Sequence, residues 1–409
     1  MRRRAFRDAF KVRNAGIFYA LGALLTVLVL IAHFKGQPFY LRPVNAVNIL
    51  EQTSLLAIVA IFSTVVLISG NFDLSIASTA ALSMLVTIEL VEERGLVVAV
   101  LGALVAATAV GVLNATLVQK LGINSFIVTL GTLTAVRGLI LVVTNGQSVA
   151  LEDQKAIDSL SRLYYPPIST PNLLLVAGAL LLAAAVFRVW RSGRASAVSP
   201  LGAALAVGGA ALLVAGAMTD ARLQLVRPVW LMLAVALATT LVLRGTVVGR
   251  RLYAVGGSAE AARLSGIKVG WYKSGAFVAM ALAAGIVGVL YAAQLTALNP
   301  NALQGLEFTA ITAAVLGGTS LYGGSGTAVK SVGGALFLIT LQNGFNVINL
   351  GPNWQSLVEG TVIIVAVAVY TLAARRSSAP IPGDAASESD FVLDESDADP
   401  QSKGARLGT

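Results

Sequence analysis

Three stretches of this 409-residue chain set polar residues into breaks between apolar runs. The first, SGNFDLSIAS (69–78), holds Asp73 between Asn71 and Ser75, just after Gly70. A carboxylate at the edge of an apolar run is costly unless it is solvated or hydrogen-bonded. Asp73 therefore marks either a water-filled path or, with Ser75, a cap on the helix that follows. The second is the longest basic loop, RGTVVGRRLYAVGGSAEAARLSGIKVGWYK (244–273). Ser258 occupies an N-cap position, Ala259-Glu260-Ala261-Ala262-Arg263-Leu264-Ser265 suits a short helix, and Gly266 stands at its C′ position before Ile267. Glu260 in the first turn complements the helix dipole. A capped helix among Arg250, Arg251, Lys268 and Lys273 fits a docking element for a partner protein, and equally an ordinary basic loop that is helical. The third, LGGTSLYGGSGTAVKSVGGAL (316–336), is rich in glycine but lacks G-x-x-x-x-G-K-[ST], so a phosphate-binding loop is absent. Its glycines suit close helix packing and a tight turn. Two further charges, Arg137 (TLTAVRGLI) and Glu359 (SLVEGTV), fall inside apolar runs, where they either pair with each other or face a cavity.

The elements that must position these residues are membrane helices. Hydrophobic residues make up 56 % of the chain and charged residues 12 %, about half the share usual in a soluble domain. With no cysteine and one histidine, His33, there is no disulfide and no plausible zinc site or histidine-based triad. No metal ligand set is expected. The net charge of +9 is not a nucleic-acid signal, because the basic residues lie between apolar runs, as the positive-inside rule requires. Twelve spans are predicted, at 17–34, 53–69, 73–90, 96–117, 123–143, 172–188, 199–218, 229–243, 274–293, 308–322, 331–349 and 354–373. Those at 229–243 and 308–322 are short for a ~30 Å hydrocarbon core and read as broken or poorly bounded helices.

With the N-terminus inside, the inner segments hold 19 Lys/Arg and the outer segments 7, which places both termini in the cytoplasm. The first run, after MRRRAFRDAFKVRNAG, reads as an uncleaved helix. The segment 111–136 resembles 334–367 in its glycine, leucine and asparagine placement, and the two would run in opposite directions. Inverted repetition and chance likeness between apolar sequences both account for it. After Arg375-Arg376 the composition turns acidic and polar, as in a disordered cytoplasmic tail.

At these stretches the chain resembles the permease subunits of bacterial ABC importers for monosaccharides, the ribose/xylose/galactoside family. GNFDLS matches that family's GGIDLS-type motif with Asn71 and Phe72 as departures. Phe126 to Leu139 matches its FIVTLGT…RGL stretch, and 249–267 matches GRRxYAVGGNxxAARLSGI with Ser258 at the usual Asn position. The glycines at 316–326 and Gly333-Gly334 also correspond. The likeness covers about residues 45–150 and 225–373.

The resemblance implies an all-α polytopic membrane protein. A ten-helix inverted-repeat core of two five-helix halves would carry two extra central helices. Its parts would be a first half at 1–150, an inserted outer loop and two helices at 151–224, a second half at 225–375, and the tail at 376–409. It further implies a homodimer of permeases in the lipid bilayer, a cytoplasmic ABC ATPase that holds the ATP and Mg, and an external sugar-binding protein. Residues 258–267 would form the ATPase-coupling helix. Asn71, Asp73, Ser75, Thr129, Arg137 and Glu359 are the candidates for the translocation path or gate. The longer middle is the one ground for xylose over other sugars. The competing class, an ion-coupled secondary transporter of a small polar solute, would rest on Asp73 and Glu359 and would leave the capped loop without a role. A membrane-embedded enzyme has no catalytic constellation to rest on.

Overall fold

The computed structural model describes residues 12–36, 42–169 and 224–347, with scattered positions in 178–182 and 354–364. Eleven helices are named in chain order: α1 (Val12–Phe34), α2 (Pro43–Ile68), α3 (Ile76–Gln119), α4 (Ser125–Val143), α5 (Gln154–Ser161), α6 (Arg227–Gly245), α7 (Val247–Gly257), α8 (Ala259–Leu264), α9 (Val269–Leu295), α10 (Leu306–Leu316) and α11 (Ala328–Val347). Six of them, α1, α2, α3, α4, α6 and α9, are long and apolar enough to cross a membrane. Apart from those scattered positions, the predicted spans at 172–188, 199–218 and 354–373 and the acidic tail lie outside the described residues.

As one rod, α3 would be about 66 Å long, twice a hydrocarbon core. It is instead a hairpin. Gly95, at φ +80° and ψ 169°, interrupts it, and Asn114 reaches back to donate to Ser75 Oγ at 2.9 Å. The two limbs are thus the predicted spans 73–90 and 96–117. α2 starts ten residues before the expected 53, with Pro43 opening it where a missing N–H costs nothing. The run at 229–243 lies within a full 19-residue helix. The run at 308–322 is short, as expected, and its end is corrected: α10 has 11 residues and stops at Leu316, and a turn with Gly318, Gly323 and Gly324 at positive φ follows it.

The core is formed by α2, α3 and α9, with Leu55–Ala60, Met84, Phe277 and Met280 among its buried residues. Small residues bring α3 and α9 together. A Cβ on Gly111 would sit 2.5 Å from that of Ala281, and one on Gly285 would sit 2.7 Å from that of Ala107. In lipid, where apolar surface alone drives no helix pairing, such close approach is what supplies dispersion contact.

The link 69–75, the N-terminus of α4, the segment 246–268 and the turn 317–327 gather at one end of the bundle, here the motif end. At the opposite end, β1 (Val149–Ala150) pairs antiparallel with β4 (Ala297–Leu298), and β2 (Ile168–Ser169) with β3 (Gln224–Leu225). There Glu92 Oε1 accepts from Glu152 N (2.7 Å) and Asp153 N (3.0 Å), and Arg227 donates to the Arg162 carbonyl.

Candidate functional site at the motif end

The stretches 69–78, 244–273 and 316–336, far apart in sequence, form one junction. Gly324 N donates to the Ile68 carbonyl at 3.0 Å, which ties the glycine-rich turn to the end of α2. Gly256, near the end of α7, presses on the same carbonyl so closely that a Cβ there would overlap it. A Cβ on Gly323 would lie 2.5 Å from the Gly256 carbonyl oxygen and 3.1 Å from Gly70 Cα, and one on Gly324 would lie 2.9 Å from Gly257 Cα. Tyr253 Oη completes the contact by donating to the Gly326 carbonyl at 2.7 Å, and burial pushes its phenol up from the ordinary range. Three backbones cross at distances that only glycine permits.

Next to the junction stands α8, whose geometry is set locally. Ser258 Oγ accepts from Ala261 N at 3.2 Å. Gly266, at φ +78°, donates to the Arg263 carbonyl, and Ile267 N donates to that of Ala262 at 3.0 Å. That double bond pattern is a Schellman cap. Ala262 is buried against Val255 and Val269, which leaves Glu260, Arg263 and Leu264 exposed, Leu264 at 85 %.

Asp73, only 4 % exposed, starts a buried polar chain. Its Oδ1 accepts from Ser75 N (2.9 Å) and Ser75 Oγ (2.6 Å). Asn114 Nδ2 donates to Ser75 Oγ, and Thr132 Oγ1 donates to Asn114 Oδ1 at 2.6 Å. The expected cap is corrected here: neither side chain caps α3, because Asp73 is spent on Ser75 in a local turn. Asn71 folds back on α2, donating to Ser69 Oγ at 2.9 Å. Ser125, Thr129 and Thr132 share one face of α4; Ser125 accepts from Phe72 N, and Thr129 bonds the Ser125 carbonyl at 2.8 Å.

Arg137 does not join them, since it lies 12 residues, about 18 Å, along α4 from Ser125. Its guanidinium reaches the carbonyls of Pro300 (3.4 Å) and Ala302 (3.3 Å), in the loop that leads to Glu307 in the first turn of α10. Glu359 lies outside the described residues. Sequence reasoning missed Glu307, which is buried with one carboxylate oxygen lacking a hydrogen-bond partner. It also missed Asn114 and Thr132, for which an amide inside an apolar run was the available signal. Among the described residues no cluster of His, Cys, Asp or Glu is grouped to hold a metal ion.

Residues 45–367 match the model of the branched-chain amino acid transport system / permease component family. The chain belongs to this permease family. Its relatives include the xylose transport system permease protein XylH of Escherichia coli K12, 32 % identical over 90 % of this chain and 95 % of that protein. The ribose import permease protein RbsC of the same strain is 34 % identical, over 85 % and 92 % of the two chains. The L-arabinose ABC transporter permease protein AraH of Azospirillum brasilense is 28 % identical, over 85 % and 86 %. No solved structure matches the permease. It is a multi-pass membrane protein, of a family of transport subunits rather than enzymes.

Proposed function

We propose that this permease forms the translocation path of an ATP-driven monosaccharide importer, with both termini in the cytoplasm. The observation that carries the reading is the glycine junction. It joins α8, the exposed capped helix, to the break between α2 and α3 where Asp73 is held. A displacement of α8 by a bound cytoplasmic ATPase is then passed through backbone contacts to the ends of two core spans, shifting the balance between states only as far as the ATPase contacts them differently. ATP and Mg belong to that partner, and this chain holds no cofactor. An external sugar-binding protein delivers the substrate, and the permease acts as a homodimer. The relatives named for xylose, ribose and arabinose support a pentose, with xylose first. The ten-helix inverted-repeat core remains part of this proposal.

The test is ATP-dependent uptake of labelled xylose, ribose, arabinose and galactose into proteoliposomes holding the permease, its ATPase and its binding protein. Uptake of one of these sugars that requires ATP hydrolysis is expected. Asp73→Asn keeps an acceptor at Oδ1 and removes the charge, so it should cut uptake several-fold at unchanged membrane abundance. Uptake driven by an ion gradient without the ATPase would instead favour secondary transport.

A further inference from the structure

A cavity of about 680 Å³ opens at the other end of the core, between α2, α9, α10 and α11, within the ~300–1,000 Å³ usual for small-molecule sites. Three helices contribute to it in the same way, each with a pair three residues apart on one face. α2 brings Gln52 and Leu55, α9 brings Tyr291 and Gln294, and α11 brings Ile339 and Gln342. Gln304, in the turn before α10, adds a fourth carboxamide, and Phe308 turns an exposed ring into the space. Among the described residues Gln52 and Gln294 make no hydrogen bond to protein, so both amides are available to an occupant. No lining residue is charged.

We infer that this cavity receives the transported molecule, and that it is built for a neutral polyol such as a monosaccharide and against a branched-chain amino acid. The inference rests on the transport reading above and names the site that reading lacked. A sugar hydroxyl both donates and accepts, and a carboxamide offers a donor and an acceptor in one plane. The rings of Tyr291 and Phe308 give apolar walls for the C–H face of the sugar. An amino acid would bring an ammonium and a carboxylate into a space whose lining holds no charged side chain to pair with them, so their desolvation is poorly rewarded. The N-terminus of α10 would otherwise suit a carboxylate, but Glu307 already occupies its first turn.

The complete transporter is assayed with labelled pentoses, hexoses and leucine. Gln294→Leu and Gln52→Leu should each lower sugar uptake at least tenfold while the loaded binding protein still stimulates ATP hydrolysis. Phe308→Ala should lower uptake and Phe308→Tyr should retain it. Because the chain has no cysteine, Gln304→Cys introduces a unique thiol. Its modification by a water-soluble reagent should slow several-fold when sugar is supplied and be indifferent to leucine. Wild-type uptake in both glutamine variants, or unprotected modification at 304, overturns the chamber. Loss of uptake together with ATPase stimulation also overturns it, by assigning these residues to folding. If the unmutated transporter carries leucine and no sugar, the transport reading itself fails.

Discussion

The two ends of the permease are built on different principles. At the motif end, main chain packs on main chain: Gly256 against the Ile68 carbonyl, Gly323 and Gly324 against Gly256 and Gly257. At the opposite end, short strand pairs and side-chain bonds hold the segments, and amides and rings surround open space. Side chains can change rotamer and a cavity can exchange its lining, but a backbone crossing has no such slack. If the proposals above hold, motion imposed at the motif end would be transmitted rather than absorbed, and substrate preference could be altered at the other end without rebuilding the fold.

The largest effect that would break this contrast is expected at Gly256. Overpacking a core costs about 1–3 kcal/mol when side chains can yield; here the obstacle is a carbonyl. Gly256→Ala should reduce the amount of folded permease in the membrane several-fold and lower its thermal midpoint in detergent. Gly257→Ala, one residue on and with nothing within 4 Å of its added Cβ, should behave as wild type. Equal stability of the two variants would show that the junction is not the rigid element.

A smaller effect is expected at Gly266, where the obstacle is conformation rather than space. Nothing lies within 4 Å of an added Cβ, but φ is +78°. A left-handed residue costs roughly 1–2 kcal/mol for an ordinary side chain, enough to displace α8 without unfolding its surroundings. Gly266→Val should leave membrane abundance intact and raise the ATP hydrolysed per sugar carried, or prevent co-purification of the ATPase. Gly266→Asn, better suited to this conformation, should restore part of the coupling. Normal coupling in Gly266→Val would remove α8 from the transmission path.

The smallest effect belongs to the opposite end. Glu92→Gln preserves a carbonyl acceptor for Glu152 N and Asp153 N, so uptake and thermal midpoint should be unchanged. A marked loss in this variant would mean that the contacts at this end are as intolerant as the glycine junction, and would erase the difference between the ends.

What the sequence determined by itself is local. Apolar runs give α1, α2, α4, α6, α9 and both limbs of α3, because hydropathy is summed over neighbours in the chain. The caps of α8 were legible from Ser258 and Gly266, since every bond in them spans five residues or fewer. The end of α10 was legible only in part: the glycines of 316–326 announced a tight turn, but that the helix stops at Leu316 depends on Gly318, Gly323 and Gly324 taking positive φ. Tertiary structure alone decided which faces meet. α2 and α9 are apolar around most of their circumference, so no amphipathic stripe announces what each packs against. Hence the sequence could name Gly70, Gly256 and Gly324 in three separate motifs but not bring them to one point. Nor could it select Gln52, Gln294 and Gln342 from among the chain's glutamines as the walls of one cavity.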